Sequence, residues 1–234
     1  RIGKEGIDSL ILEVLNLLRE AGERNGIKFG ETVGQDPMVY ESNDKEAAYN
    51  GHYEKQMYKA QAMSCLDTQI PLFGDVKGGT EYAGNDTVPY LENLKAADLR
   101  PKVACLDGEY DTLENFALLN TKYKCESYIR MHTPEIVPET EKHLKREIKE
   151  VYQKHWNCKS FSPDVTTEQR VAFLVEKGEL ELPGRYYRRK YRNMAINNPK
   201  KFYGQYHRRS LEETQNSRLL DPAFLSSETT FLAF

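Results

Sequence analysis

Val103-Ala104-Cys105-Leu106-Asp107-Gly108-Glu109-Tyr110-Asp111 decides how this chain is read. Four apolar residues run into an aspartate and then a glycine, and a run of helical spacing follows from Thr112. A short apolar run closed by Gly reads as a buried strand. Its last residue is a carboxylate, so a charge stands at the rim of a sheet. Ligand sites in α/β sheets favour the carboxyl ends of strands. Asp107 is therefore the first candidate site residue, and metal-dependent chemistry is the first expectation.

Working outward, apolar spacing at Ile7, Leu10, Ile11, Val14, Leu15 and Leu18 predicts an amphipathic helix over 7–21, broken at Ala21-Gly22 and Asn25-Gly26. Strands are expected at 29–35, ending at Asp36, then at 58–65, 70–76, 103–106 and 125–131. Short helices are expected around Val88–Ala97 and Leu113–Leu119, the second capped by Asp111 or Thr112. Glu41–His52 reads as a polar, turn-rich segment. The core order is then β-β-β-α-β-α-β, a mixed sheet with helices on its faces. Residues 133–200 break the alternation with helices at 143–155 and 166–176 and a turn at Leu182-Pro183-Gly184, so they read as a mainly helical insertion. A final helix is expected from Gln205 to about Leu219.

The composition sets outer limits. The 234 residues carry a net charge of −3, 39% hydrophobic and 29% charged residues, as a globular protein does. No apolar run is long enough for a transmembrane helix. The start, Arg1-Ile2-Gly3-Lys4-Glu5, has no signal-peptide pattern and reads as the interior of a longer protein. Cys65, Cys105, Cys125 and Cys158 are widely spaced with no CxxC, so buried, reduced thiols in a cytoplasmic protein are expected. Histidines 52, 132, 143, 155 and 207 lack zinc-ligand spacing, and Gly78-Gly79 reads as a turn and not as a phosphate loop.

The charge is uneven. Arg185, Arg188, Arg189, Lys190, Arg192, Lys200, Lys201, Arg208 and Arg209 fall in a stretch without a single Asp or Glu. Tyr186, Tyr187, Tyr191, Phe202, Tyr203 and Tyr206 interleave with them. Such a stretch suits phosphate binding; the plainer reading is a solvated helix face with tyrosines packed on the core. Tyr206, Arg209 and Glu213 stand at i, i+3 and i+7, on one face of the expected last helix.

The strand order resembles that of the ribonuclease-H-like fold, in which the first and fourth strands lie side by side at the centre. That likeness implies that Asp36 and Asp107 meet. Like charges about 4 Å apart repel by roughly 4 kcal/mol at an effective dielectric of 20, which divalent cations would relieve. More specifically, the chain resembles DDE transposases of the bacterial and archaeal insertion-sequence type over about residues 27–218. Asp36 with Tyr49-Asn50-Gly51-His52-Tyr53 and Met57-Tyr58-Lys59-Ala60 resembles the family's first-aspartate region. Leu106-Asp107-Gly108-Glu109-Tyr110-Asp111 resembles its second, and Tyr206, Arg209 and Glu213 match three members of its Tyr-Arg-Glu-Lys signature.

The resemblance implies a catalytic domain over 27–220, with 1–26 the remnant of an N-terminal region and 221–234 an atypical tail. It implies Asp36, Asp107 and Glu213 as ligands of two Mg²⁺ or Mn²⁺ ions, which suit hard oxygen donors. Tyr206, Arg209 and the stretch Arg185–Lys201 would hold the backbone of double-stranded DNA, at element terminal inverted repeats and at the target. Dimeric action in the nucleoid is implied likewise. The signature lysine is replaced by Leu220, and Pro37-Met38 follows the first aspartate where the family has small and hydroxyl residues. Asp44 is the rival of Asp36, and Glu212 of Glu213; Asp111 reads as a cap and Glu109 as solvent-facing. Two alternatives stand beside strand transfer: an endonuclease that hydrolyses without joining, and a catalytically inactive DNA-binding remnant.

Overall fold

The computed structural model describes residues 4–44, 47–51, 54–78, 80, 82–131, 140–156 and 165–211. It is an α/β structure built on one open, mixed, six-stranded sheet. Helix α1 (Lys4–Arg24) leads into β1 (Thr32–Glu41), β2 (Ala48–Asn50), β3 (Lys55–Cys65) and β4 (Ile70–Gly78). Then come α2 (Thr87–Ala96), β5 (Val103–Leu106), α3 (Leu113–Thr121) and β6 (Glu126–Ile129). Helices α4 (Glu141–Trp156), α5 (Thr167–Glu176), α6 (Glu181–Asn197) and α7 (Pro199–Tyr206) follow, with a 3₁₀ turn at His207–Arg209.

The strands run in the order β2-β3-β1-β5-β6, with β4 also paired to β3. The β1–β3 and β3–β4 pairs are antiparallel, while β1–β5 and β5–β6 are parallel. The strands predicted as first and fourth are thus neighbours. The apolar stretch 103–106 is the strand expected of it, with Ala104, Cys105 and Leu106 fully buried.

Side chains alternate across a strand, and the register Gly34↔Cys105 puts Gly34, Asp36, Cys105 and Asp107 on one face. That face lies under α7, where the Cys105 thiol donates to the Gln205 carbonyl at 3.2 Å. Helix α3 lies on the other face, where Asn120 donates to Ser127 Oγ at 2.8 Å. Helix α6 packs along both α3 and α7. Its contact with α3 is close at Gly184, where an added Cβ would stand 2.2 Å from the Leu113 carbonyl oxygen.

Several expectations are corrected. The first strand does not end at Gln35; it runs on to Glu41 because β3 pairs with it along that whole length. Asp36 therefore sits inside β1, at the level where the β5 partner stops. Pro37 falls just beyond, where β1 has one free edge and a strand tolerates proline. The polar segment 41–52 contributes the short β2. Helix α1 passes Ala21-Gly22 and ends at Arg24, with Gly26 at φ 69° turning the chain.

Leu182-Pro183-Gly184 is not a turn: it is the first turn of α6, where proline's missing N–H costs no helical bond. The last described helix starts at Pro199 and not at Gln205, because Asn198 accepts from the Lys201 N–H as its cap and proline follows. Thr112, not Asp111, caps α3, accepting from the Asn115 N–H. Cys65, Cys105 and Cys125 are buried free thiols. Glu213, Glu212, Leu220, Cys158, His52 and His132, with the tail, lie outside the described residues. Among the described residues no helix is long and apolar enough to cross a membrane.

Candidate functional site

Gln35 pairs with Leu106 as the last rung of the β1–β5 ladder. Asp36 and Asp107 each come one residue later, so two parallel strands deliver two carboxylates to one level of the sheet's edge. Neither is deeply buried, their side chains being 16% and 31% exposed.

Between them stands Arg209. Its Nη1 donates to Asp36 Oδ1 at 2.8 Å, and its Nη2 lies 4.0 Å from Asp107 Oδ1. The guanidinium is brought there by the 3₁₀ turn after α7. The turn is pinned to β1 by Arg208, which donates to Thr32 Oγ1 at 3.0 Å and to Asp67 Oδ1 at 2.5 Å. Tyr206 lies under Arg209 with 5.7 Å from ring centroid to guanidinium, so the expected i, i+3 neighbourship holds across the helix–turn junction. Burial pushes the Tyr206 hydroxyl pKa up, and the Arg209 charge opposes that shift. The phenol stays protonated at neutral pH, and its oxygen accepts from the Arg209 guanidinium.

Beside the carboxylates opens a cleft of about 620 Å³. Arg130, Arg188, Arg192 and Arg209 line it with Phe202, Tyr203, Tyr206 and His207, and among the described residues no carboxylate is in its walls. Tyr203 is 45% exposed and stacks on His207 at 5.7 Å between ring centroids. Four guanidinium groups around an aromatic floor make a site for an anion, above all phosphate, which arginine binds in bidentate fashion.

The basic stretch therefore divides. Arg188, Arg192 and Arg209 reach the cleft. Arg185 instead pairs with Glu147 at 3.2 Å, and Lys190 lies over the Tyr187 ring at 5.6 Å. Arg189 is outside the cleft lining, as are the exposed Lys200 and Lys201 at the start of α7. Tyr186, Tyr187, Tyr191, Phe202 and Tyr206 are buried, so the tyrosines take the plainer, core-packing reading, with Tyr203 the exception.

Two residues of the 107–111 loop differ from expectation. Glu109 is not solvent-facing but pairs with the largely buried Lys59 at 2.8 Å. Asp111 is not a cap: its 2% exposed side chain accepts two bonds from Arg188, Nε and Nη2, each at 2.7 Å. Arg130 escaped the sequence reading. The signal was available, since it directly follows β6 and so stands at a strand's carboxyl end, as Asp107 does.

The donors at the edge suit a hard cation. Two carboxylates converge on one cationic group, and a guanidinium already takes that place. Among the described residues no three His, Cys, Asp or Glu side chains converge as a metal site; Glu213, the third expected ligand, lies outside them. Comparison with protein-family models, with curated proteins and with solved structures found no match. The class that fold and site define is an α/β protein with an acidic pair at one level of two adjacent parallel strands, just past their last shared rung, and an arginine-lined cleft beside it.

Proposed function

We propose that this chain is the catalytic core of a metal-dependent polynucleotidyl transferase with a ribonuclease-H-like sheet, similar to the DDE transposases, that cuts and joins DNA strands. The observation that carries the reading is the convergence of Asp36 and Asp107 on a single cationic centre. Setting aside the three-residue β2, the long strands run third, second, first, fourth, fifth across the sheet, in keeping with that fold.

Asp36 and Asp107, with Glu213, would hold Mg²⁺ or Mn²⁺. When bound, such ions activate a water or hydroxyl nucleophile and stabilise the leaving oxygen of a phosphodiester. The chain's own residues do the rest. Arg130, Arg188 and Arg192 hold phosphate oxygens of the strand, which gives affinity without sequence information. Tyr206 supports Arg209 from below and keeps the guanidinium at the boundary between carboxylates and cleft. Buried Leu106 and Cys105 anchor the strand that presents Asp107. Partners of this reading are double-stranded element ends and target DNA, engaged by a dimer.

The test is Mn²⁺-dependent nicking of supercoiled plasmid by the full chain and by Asp107→Asn. Nicking by the wild type that Asp107→Asn abolishes supports the reading; nicking untouched by the substitution, or absent in both, overturns it. Joined products separate a transferase from an endonuclease that only hydrolyses. One observation favours the reading of an inactive DNA-binding protein, namely that Arg209 already engages both carboxylates. A gel shift that ignores metal, with no cleavage, is its signature.

A further inference from the structure

Arg209 belongs to two places at once. It is a wall of the arginine cleft, and it is the cation between Asp36 and Asp107. A guanidinium and a divalent cation compete for the same carboxylate oxygens, because positive charges a few ångströms apart repel strongly at the rim of a protein.

The turn that carries Arg209 does not depend on that contact. Arg208 ties it to Thr32 and Asp67, and Ser210 Oγ donates to the His207 carbonyl at 2.7 Å. The long arginine side chain can therefore leave the carboxylates while the backbone stays. Once released from them, it faces a cleft that already holds Arg130, Arg188 and Arg192 and, among the described residues, no acidic wall, so an incoming anion is a favourable partner there.

We propose that Arg209 is an internal counter-cation of the Asp36–Asp107 pair, that a divalent cation displaces it, and that the released guanidinium is taken up by a phosphodiester in the adjoining cleft. Cation and nucleic acid then reinforce one another's binding, since coupling between two sites is reciprocal. This rests on the reading of Asp36 and Asp107 as cation ligands. It also accounts for an arginine between two carboxylates: the contact guards the pair until both ligands are present.

The alternative is a static role, in which Arg209 holds the carboxylates in position and its loss harms the site. The two differ in sign. Calorimetric titration of the full chain with Mn²⁺ is compared between wild type, Arg209→Gln, Arg209→Lys and Asp107→Asn, with thermal melts by circular dichroism as the check of folding. Displacement predicts Mn²⁺ binding about tenfold or more tighter in Arg209→Gln than in wild type, with Arg209→Lys between them and binding lost in Asp107→Asn. It also predicts that a labelled single-stranded oligonucleotide tightens Mn²⁺ binding more in wild type than in Arg209→Gln.

Equal or weaker Mn²⁺ binding in a folded Arg209→Gln, with wild-type binding intact, overturns the displacement and leaves the cation site standing. If Arg209→Gln does not fold, Arg209→Lys decides by the same sign. No Mn²⁺ binding in wild type or either arginine variant overturns the cation site itself, and the displacement with it.

Discussion

Asp107 and Asp111 stand four positions apart on one loop, and each meets an arginine, yet the two contacts differ in kind. Asp111 is buried and grips Arg188 of α6 through two parallel bonds. Asp107 is partly exposed, shares Arg209 with Asp36, and sits at the long end of that contact. The first joins the β5–α3 loop to the helical layer, and its carboxylate is shut off from water. The second lies at a rim where water, a cation or a phosphate can replace either partner. Residue types alone do not separate a scaffold ion pair from a displaceable one; burial and the number of bonds do.

The comparison is broken most directly at Asp111. Asp111→Ala strips Arg188, at the wall of the cleft, of its buried two-bond partner, and losing bonds to a charged group costs about 1.5–3 kcal/mol. Denaturant unfolding should show that loss, whereas a loss below about 1 kcal/mol would place the Asp111 contact with the surface pairs. Next comes Gly184→Ala in the same layer. The new methyl meets backbone at Leu113, so α6 must shift from α3 at about 1–3 kcal/mol. Because α6 carries Arg188 and Arg192 into the cleft, oligonucleotide affinity should fall with it, measured by anisotropy.

A third prediction concerns the thiol beneath the acidic pair. Burial pushes Cys105 from its ordinary 9.0 up to about 12. Its folded-state value is raised, so its contribution to stability is complete below pH 9.0 and is lost as pH rises towards 12. At pH 10 the unfolded chain has released that proton and the folded chain has not, a loss of about 1 kcal/mol. Melts from pH 8 to 10 should show a decline that Cys105→Ala makes shallower.

Smallest is the effect of Arg209→Gln on stability. Arg209 makes one short bond to Asp36 where Arg188 makes two to Asp111, so its removal should cost about 1 kcal/mol and move the melt less than Asp111→Ala while it moves cation affinity. A large destabilisation would make the two arginine contacts alike.

Much of this was legible from short range. The run 103–106 announced a buried strand and put Asp107 at its end. Thr112 and Thr166 announced the starts of α3 and α5, the latter with a full capping box to Gln169. Such signals are local because a cap or an apolar run acts within a few residues. The errors lay where a distant partner decides. Asp36 reads as a strand end, yet β3, about twenty-five residues on, pairs β1 through to Glu41. The helical insertion hid its role likewise, because Arg188 gains its meaning from Asp111 in another segment.

By itself, the sequence determined an α/β chain with two carboxylates near strand ends and a basic, aromatic stretch towards its end. Only the tertiary structure decided that Asp36 and Asp107 share one rung level, that Arg209 stands between them, and that Arg130 closes the cleft. Hydrophobic period and capping are written in neighbouring residues, whereas strand register and the meeting of charges depend on which distant surfaces are buried together.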